Sequence, residues 1–134
     1  MRIAITLFLT LVCTTVASAY ETLAPKQADQ LVNSGAAVLI DVRRPDEWAA
    51  KGIAVSAYTV DMSSPEFGNK LNAIIKANPG KKIALICEAG GRSAWLAGQL
   101  EAQGLGNIVD VAGGMGGNAS DPGWIASGLP IRKP

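Results

Sequence analysis

The sequence contains no histidine among its 134 residues. That absence removes a cysteine–histidine dyad, a histidine-ligated metal and an imidazole general base from the chemistry open to the chain. Cysteine is nearly as scarce, with only Cys13 and Cys87 present. Cys13 lies in an apolar amino-terminal segment that reads as a leader, so a mature chain would hold one thiol. Such a chain has no intramolecular resolving cysteine and is not a Cys-x-x-Cys oxidoreductase. Excess charge is missing too, with 12 basic residues against 11 acidic ones and no basic run. That balance gives no electrostatic attraction to nucleic acid or to an anionic membrane. Internal repeats, low-complexity tracts and a linker marking a second domain are also absent. No apolar run reaches the roughly 20 residues that span a bilayer.

At the amino terminus, Arg2 precedes the uncharged stretch Ile3 to Ala17, and Ala17-Ser18-Ala19 has the small-x-small pattern of a signal peptidase site before Tyr20. Residues 1–19 are therefore expected to be a cleaved signal peptide. Residues 20–134 then form a single domain, periplasmic or alternatively secreted, with no membrane attachment after cleavage. In an oxidising compartment paired cysteines usually become structural disulfides, whereas a solitary one points to an intermolecular bond or a reactive thiol.

Along the domain, Pro25 to Asn33 predicts a helix with Pro25 near its start and Ala28, Leu31 and Val32 facing inward. The unbroken apolar run Ala36 to Val42 suits a parallel strand covered on both faces. Pro45 to Lys51 begins a short helical turn, with Asp46 and Glu47 near its positive end. Ala54 to Val60 reads as a short strand and Ser64 to Ala77 as a longer helix carrying Phe67, Leu71, Ile74 and Ile75 at helical spacing. Asn107 to Val111 is the last strand expected, followed by an irregular glycine-rich tail around Trp124. Alternating strands and helices in a domain this small predict an α/β fold, with a mostly parallel sheet of about five strands covered on both faces.

The stretch that carries chemistry is Lys82-Ile83-Ala84-Leu85-Ile86, then Cys87-Glu88-Ala89-Gly90-Gly91-Arg92, then Ser93 to Leu100. It reads as a buried strand, a loop opened by cysteine and closed by arginine, and an amphipathic helix. The end of a strand next to the start of a helix is where α/β sheets place ligands, and the helix dipole is positive there. Glu88, Ala89, Gly90, Gly91 and Arg92 all offer backbone N–H groups, and the two glycines permit the curled conformation that aims such donors inward. A cradle of this kind binds anions and favours the thiolate, the nucleophilic form of Cys87. The competing reading is a small buried thiol at a strand end.

The loop resembles the active-site loop of the rhodanese family of sulfurtransferases. The resemblance extends to Val38-Leu39-Ile40-Asp41-Val42-Arg43-Arg44-Pro45-Asp46-Glu47-Trp48 and to Asn107-Ile108-Val109-Asp110-Val111-Ala112-Gly113-Gly114-Met115, so it covers nearly all of the chain beyond residue 22 in the expected order. It implies a rhodanese-like fold and a Cys87 persulfide that carries sulfur from thiosulfate or a related persulfide donor to cyanide or a thiol. Arg92 and the amides of Glu88, Ala89, Gly90, Gly91, Arg92 and Ser93 would bind the anionic sulfur, with no metal or organic cofactor. A periplasmic protein partner is a further expectation.

Asp41 and Arg43 are expected either to reach the cysteine loop or to form a buried ion pair that fixes it, and Glu47 either to orient Arg43 or Arg92 or to be an exposed acid of the first helical turn. Trp48 and Trp95 read as core, and Trp124 as a shield over the site. The chain departs from the family at Glu88, which puts negative charge beside the nucleophile, and at Lys51-Gly52-Ile53-Ala54-Val55-Ser56-Ala57, where the family more often has Gly-His-Ile-Pro-Gly-Ala. Two other functions remain at this stage. One is a redox-sensing or partner-binding module of the same family. The other is a cysteine phosphatase or arsenate reductase, whose pattern has five residues between cysteine and arginine where this chain has Glu88, Ala89, Gly90 and Gly91.

Overall fold

A computed structural model describes residues 20–134; the expected signal peptide and Cys13 lie outside the described residues. Seven strands and five helices follow in order: β1 (Glu21–Leu23), α1 (Pro25–Asn33), β2 (Ala37–Asp41), α2 (Pro45–Lys51), β3 (Ile53–Ala54), β4 (Ala57–Thr59), α3 (Phe67–Ala77), β5 (Lys82–Ile86), α4 (Gly91–Ala102), β6 (Ile108–Val111), α5 (Gly123–Ala126) and β7 (Ile131–Arg132). The main sheet has five strands in the order β1-β6-β5-β2-β4, and every pairing is parallel.

Side chains alternate across this sheet, and the alternation places the site. On one face Val38, Ile40, Val42, Ile83, Leu85, Cys87 and Ile108 pack with Leu71 of α3 and Leu96, Ala97 and Leu100 of α4. On the other, Leu39, Ala84, Ile86, Val109 and Val111 pack with Ala28 of α1, Met115 and Trp124. Because β2 and β5 are covered on both faces, β2 is apolar up to its last residue, Asp41, and β5 is apolar after its first, Lys82.

Several elements differ from expectation. The predicted strand Ala54 to Val60 is two strands, because a turn at Val55 and Ser56 separates β3 from β4. β3 instead pairs antiparallel with β7, joining Ile53 to Arg132 and Ala54 to Ile131. β1 was not legible because its three residues Glu-Thr-Leu carry no apolar pattern; it gains its partner only at β6. Helix α3 begins at Phe67 after a turn, and α4 begins at Gly91, two residues earlier than expected. The glycine-rich tail contains the short helix α5.

Candidate active site

Polar side chains converge where β2, β5 and β6 end. Cys87 follows β5, is 1% exposed, and lies at the floor of a loop that turns into α4. Gly90 makes that turn with φ of +102°, a conformation open to glycine. The turn points the first amides of α4 back at the sulfur: Gly90 N–H donates to Cys87 Sγ at 3.2 Å and Ser93 N–H at 3.4 Å. Helix-terminal N–H groups without a helical partner are thus satisfied by the sulfur itself. The Ser93 hydroxyl lies 3.3 Å from Sγ.

The loop is braced from behind by the tail. Met115 N–H donates to the Cys87 carbonyl at 2.8 Å, Gly116 N–H to the Glu88 carbonyl at 2.8 Å, and the Asn118 side-chain amide to the Ala89 carbonyl at 2.8 Å. Three successive carbonyls of the loop are thus taken by the tail, on the side away from the Gly90 and Ser93 amides that reach the sulfur. A side chain at Gly114 would place its Cβ 2.4 Å from the Cys87 carbonyl oxygen, so the tail approaches closely only because glycine stands there.

Asp41 and Arg43 form a fully buried ion pair, Arg43 Nη2 to Asp41 Oδ2 at 2.8 Å. Arg43 also donates to the carbonyl of Gly52 at 2.7 Å and to Glu88 Oε2 at 3.1 Å. It therefore ties the end of β2 to the segment after α2 and to the cysteine loop. The Glu88 carboxylate is held by Arg43 and Lys51, while the role expected of Glu88 in the cradle belongs to its backbone amide. Arg92 is held through both terminal nitrogens by Glu47, at 2.9 and 2.5 Å. The Arg92 guanidinium holds the Glu47 carboxyl down to about 2, against the opposing effect of partial burial. Glu47 thus orients Arg92 with its side chain, and meets Arg43 only through its backbone carbonyl at 3.4 Å.

Two aromatic expectations need correction. Trp124 does not cover the site: it is 2% exposed within the second core, with its indole N–H on the Pro130 carbonyl at 3.2 Å. The closing of β3 on β7 brings that carbonyl within reach. Trp95 is not core but 60% exposed, because its position on α4 turns it away from the sheet. It lines a groove with Phe67, Leu71 and Gln99 that does not include Cys87. Trp48 packs against the second core as expected.

Sequence reasoning missed Lys51 and Asp110. Asp110 is 5% exposed, and Ser93 Oγ donates to its Oδ1 at 2.6 Å. Its signal was available as a lone acid within the apolar strand Ile108–Val111. Lys51 had none, since a lysine ending a helical turn is ordinarily solvated.

The site is thus a cysteine held by helix-terminal amides at the carboxyl edge of a parallel five-stranded sheet with helices on its faces. The family follows from comparison with known proteins: residues 24–120 match the model of the rhodanese-like domain, and the chain belongs to that family. It is 32% identical over 113 residues to an uncharacterized protein of Synechocystis sp., covering 84% of this chain and 56% of that protein's length. Among solved structures, a rhodanese-related protein of Thermoplasma volcanium is 31% identical with a TM-score of 0.65, over 84% of this chain and 98% of the other. The polysulfide-sulfur transferase homodimer of Wolinella succinogenes is 25% identical with a TM-score of 0.62, over 87% of this chain and 80% of the other.

Proposed function

We propose that the protein is a sulfurtransferase of the exported single-domain type, which moves sulfane sulfur through a Cys87 persulfide. The observation that carries this reading is the set of donors on Cys87 Sγ, two backbone N–H groups at 3.2 and 3.4 Å in a loop braced from behind. Cys87 attacks the outer sulfur of a donor, the former partner of that sulfur leaves with the bonding pair, and the persulfide anion rests among the loop amides. A thiol or cyanide then takes the outer sulfur. The spacing of Cys87 and Arg92 supports sulfur over phosphate chemistry, since the shorter ring leaves less room for a tetrahedral group. A relative named for polysulfide-sulfur transfer supports the same class of cargo.

Thiosulfate is one donor the site would accept. The cations around the rim are paired, Arg43 with Asp41 and Glu88, Lys51 with Glu88, and Arg92 with Glu47, which favours a donor of lower charge such as an organic persulfide.

Intact mass spectrometry tests the proposal. After treatment with thiosulfate or an organic persulfide the protein is expected to gain about 32 mass units, the mass of one sulfur atom, at Cys87. Cyanide should remove that mass, and Cys87→Ser should never acquire it. No gain from either donor would overturn the reading and favour an oxidant-sensing or partner-binding role.

A further inference from the structure

Ser93 Oγ lies 2.6 Å from Asp110 Oδ1, 3.3 Å from Cys87 Sγ and 3.3 Å from the Gly90 carbonyl. A hydroxyl has one hydrogen to give, and the short contact to a carboxylate claims it. What Ser93 then turns toward the sulfur is oxygen lone pairs. A thiol can donate to them, whereas a thiolate would face both those lone pairs and the carboxylate one hydroxyl behind. The two backbone amides on Sγ act in the opposite sense and favour charge there. We propose that Asp110, acting through Ser93, is a positioning residue that keeps the inner sulfur of Cys87 uncharged, as a thiol when empty and as the bridging sulfur of a persulfide when loaded.

The surroundings of Asp110 fit this role. It lies on the α4 face of β6, with Ser93 of α4 against its carboxylate. Its register partners, Thr22 on β1 and Leu85 on β5, carry no charge. The ionisable groups that face it are Asp121, from the loop before α5, and, through Ser93, Cys87 at the end of β5. Among the described residues no ion pair includes Asp110. Burial pushes its carboxyl up, the Ser93 hydrogen bond opposes this, and Asp121 adds to the rise. When Asp110 is protonated it can donate to Ser93 Oγ, which releases the Ser93 hydrogen toward Sγ and reverses the bias.

The persulfide half of this inference rests on the sulfurtransferase reading. With thiosulfate, a bond forms between Sγ and the outer sulfur while the sulfur–sulfur bond to sulfite breaks; the bonding pair leaves with sulfite, which takes the thiol proton as hydrogen sulfite. No external oxidant or reductant is needed. The persulfide's negative charge then sits on the outer sulfur, one bond farther from Asp110. Discharge to cyanide forms a bond from its carbon to the outer sulfur and returns the electron pair to Sγ as thiolate. The ionised Asp110 opposes that charge and so helps retain the cargo.

The decisive measurement is the rate of Cys87 alkylation by iodoacetamide against pH, read by intact mass, in the wild-type protein and in Asp110→Asn. In the wild type the logarithm of the rate should rise, climb less steeply while Asp110 ionises, and then steepen again on a displaced line. Asp110→Asn should show one unbroken rise and react about tenfold faster on the alkaline side of the step. A preloaded Asp110→Asn persulfide should also discharge to cyanide several-fold faster. If the variant fails to fold, the step in the wild-type profile still decides. A smooth wild-type profile, or superimposed profiles, would overturn the inference even in a protein that loads sulfur. A protein that keeps the step but loads no sulfur would uphold the coupling of Asp110 to Cys87 and overturn the transfer reading instead.

Discussion

Arg43 and Arg92 meet carboxylates in different settings, and their removal should have different costs. Arg43 and Asp41 are both fully buried, so Arg43→Ala leaves a buried carboxylate without its partner and is expected to lower stability by about 3–5 kcal/mol in denaturant melts. The same change frees Glu88 toward the loop, and loading by an anionic donor should slow in whatever fraction folds. Arg92 is more than one-third exposed, and solvent screens its pair with Glu47. Glu47→Gln should therefore cost no more than about 1 kcal/mol at neutral pH. The sign with pH is definite: Glu47 is held down to about 2 from an ordinary 4.5, so its contribution is complete above about 4.5 and disappears as pH falls through about 2. Thermal melts of wild type and Glu47→Gln should converge over that interval.

At the scale of elements, the cysteine loop depends on a segment of chain that has no chemistry of its own. The tail behind it must approach so closely that a Cβ at Gly114 would meet three backbone atoms, the Cys87 oxygen at 2.4 Å and the Glu88 carbonyl carbon and oxygen at 2.7 and 2.8 Å, and Gly114 has φ of +58°. Backbone atoms cannot step aside as a flexible side chain can. Gly114→Ala should destabilise the domain by more than about 2 kcal/mol and abolish sulfur loading. Gly98 offers the contrast, because it sits within α4 with its nearest neighbour, a Tyr20 ring carbon, at 3.9 Å. Gly98→Ala should raise stability by roughly 0.5–1 kcal/mol through helix propensity alone, with loading unchanged.

Across the whole molecule, Trp124 links the end of the chain to the second core. Its ring packs with that core, its indole N–H binds the Pro130 carbonyl, and the same carbonyl accepts from Val55 N–H at 3.3 Å beside the β3–β7 pair. Trp124→Phe removes that hydrogen bond and part of the ring. It is expected to lower the melting midpoint by an amount equivalent to about 1–2 kcal/mol while leaving Cys87 able to load sulfur.

What the sequence determined by itself was local and periodic. Runs such as Ala37–Asp41 and Lys82–Ile86 announced strands buried on both faces, proline and glycine marked the starts and stops of helices, and Cys87 with its glycines announced the loop. Those signals are carried within a few residues of one another, so they survive in one dimension. Tertiary structure alone decided which charges pair across 45 residues, as Arg92 does with Glu47 and Arg43 with Glu88. It also decided that three-residue β1 becomes a strand on meeting β6, that Trp124 turns inward while Trp95 turns out, and that Asp110 comes to rest behind Ser93. Each of these depends on the parallel sheet bringing strand ends from distant parts of the chain to one edge. There an acid's partner is set by the parity of its strand position, and not by its neighbours in sequence.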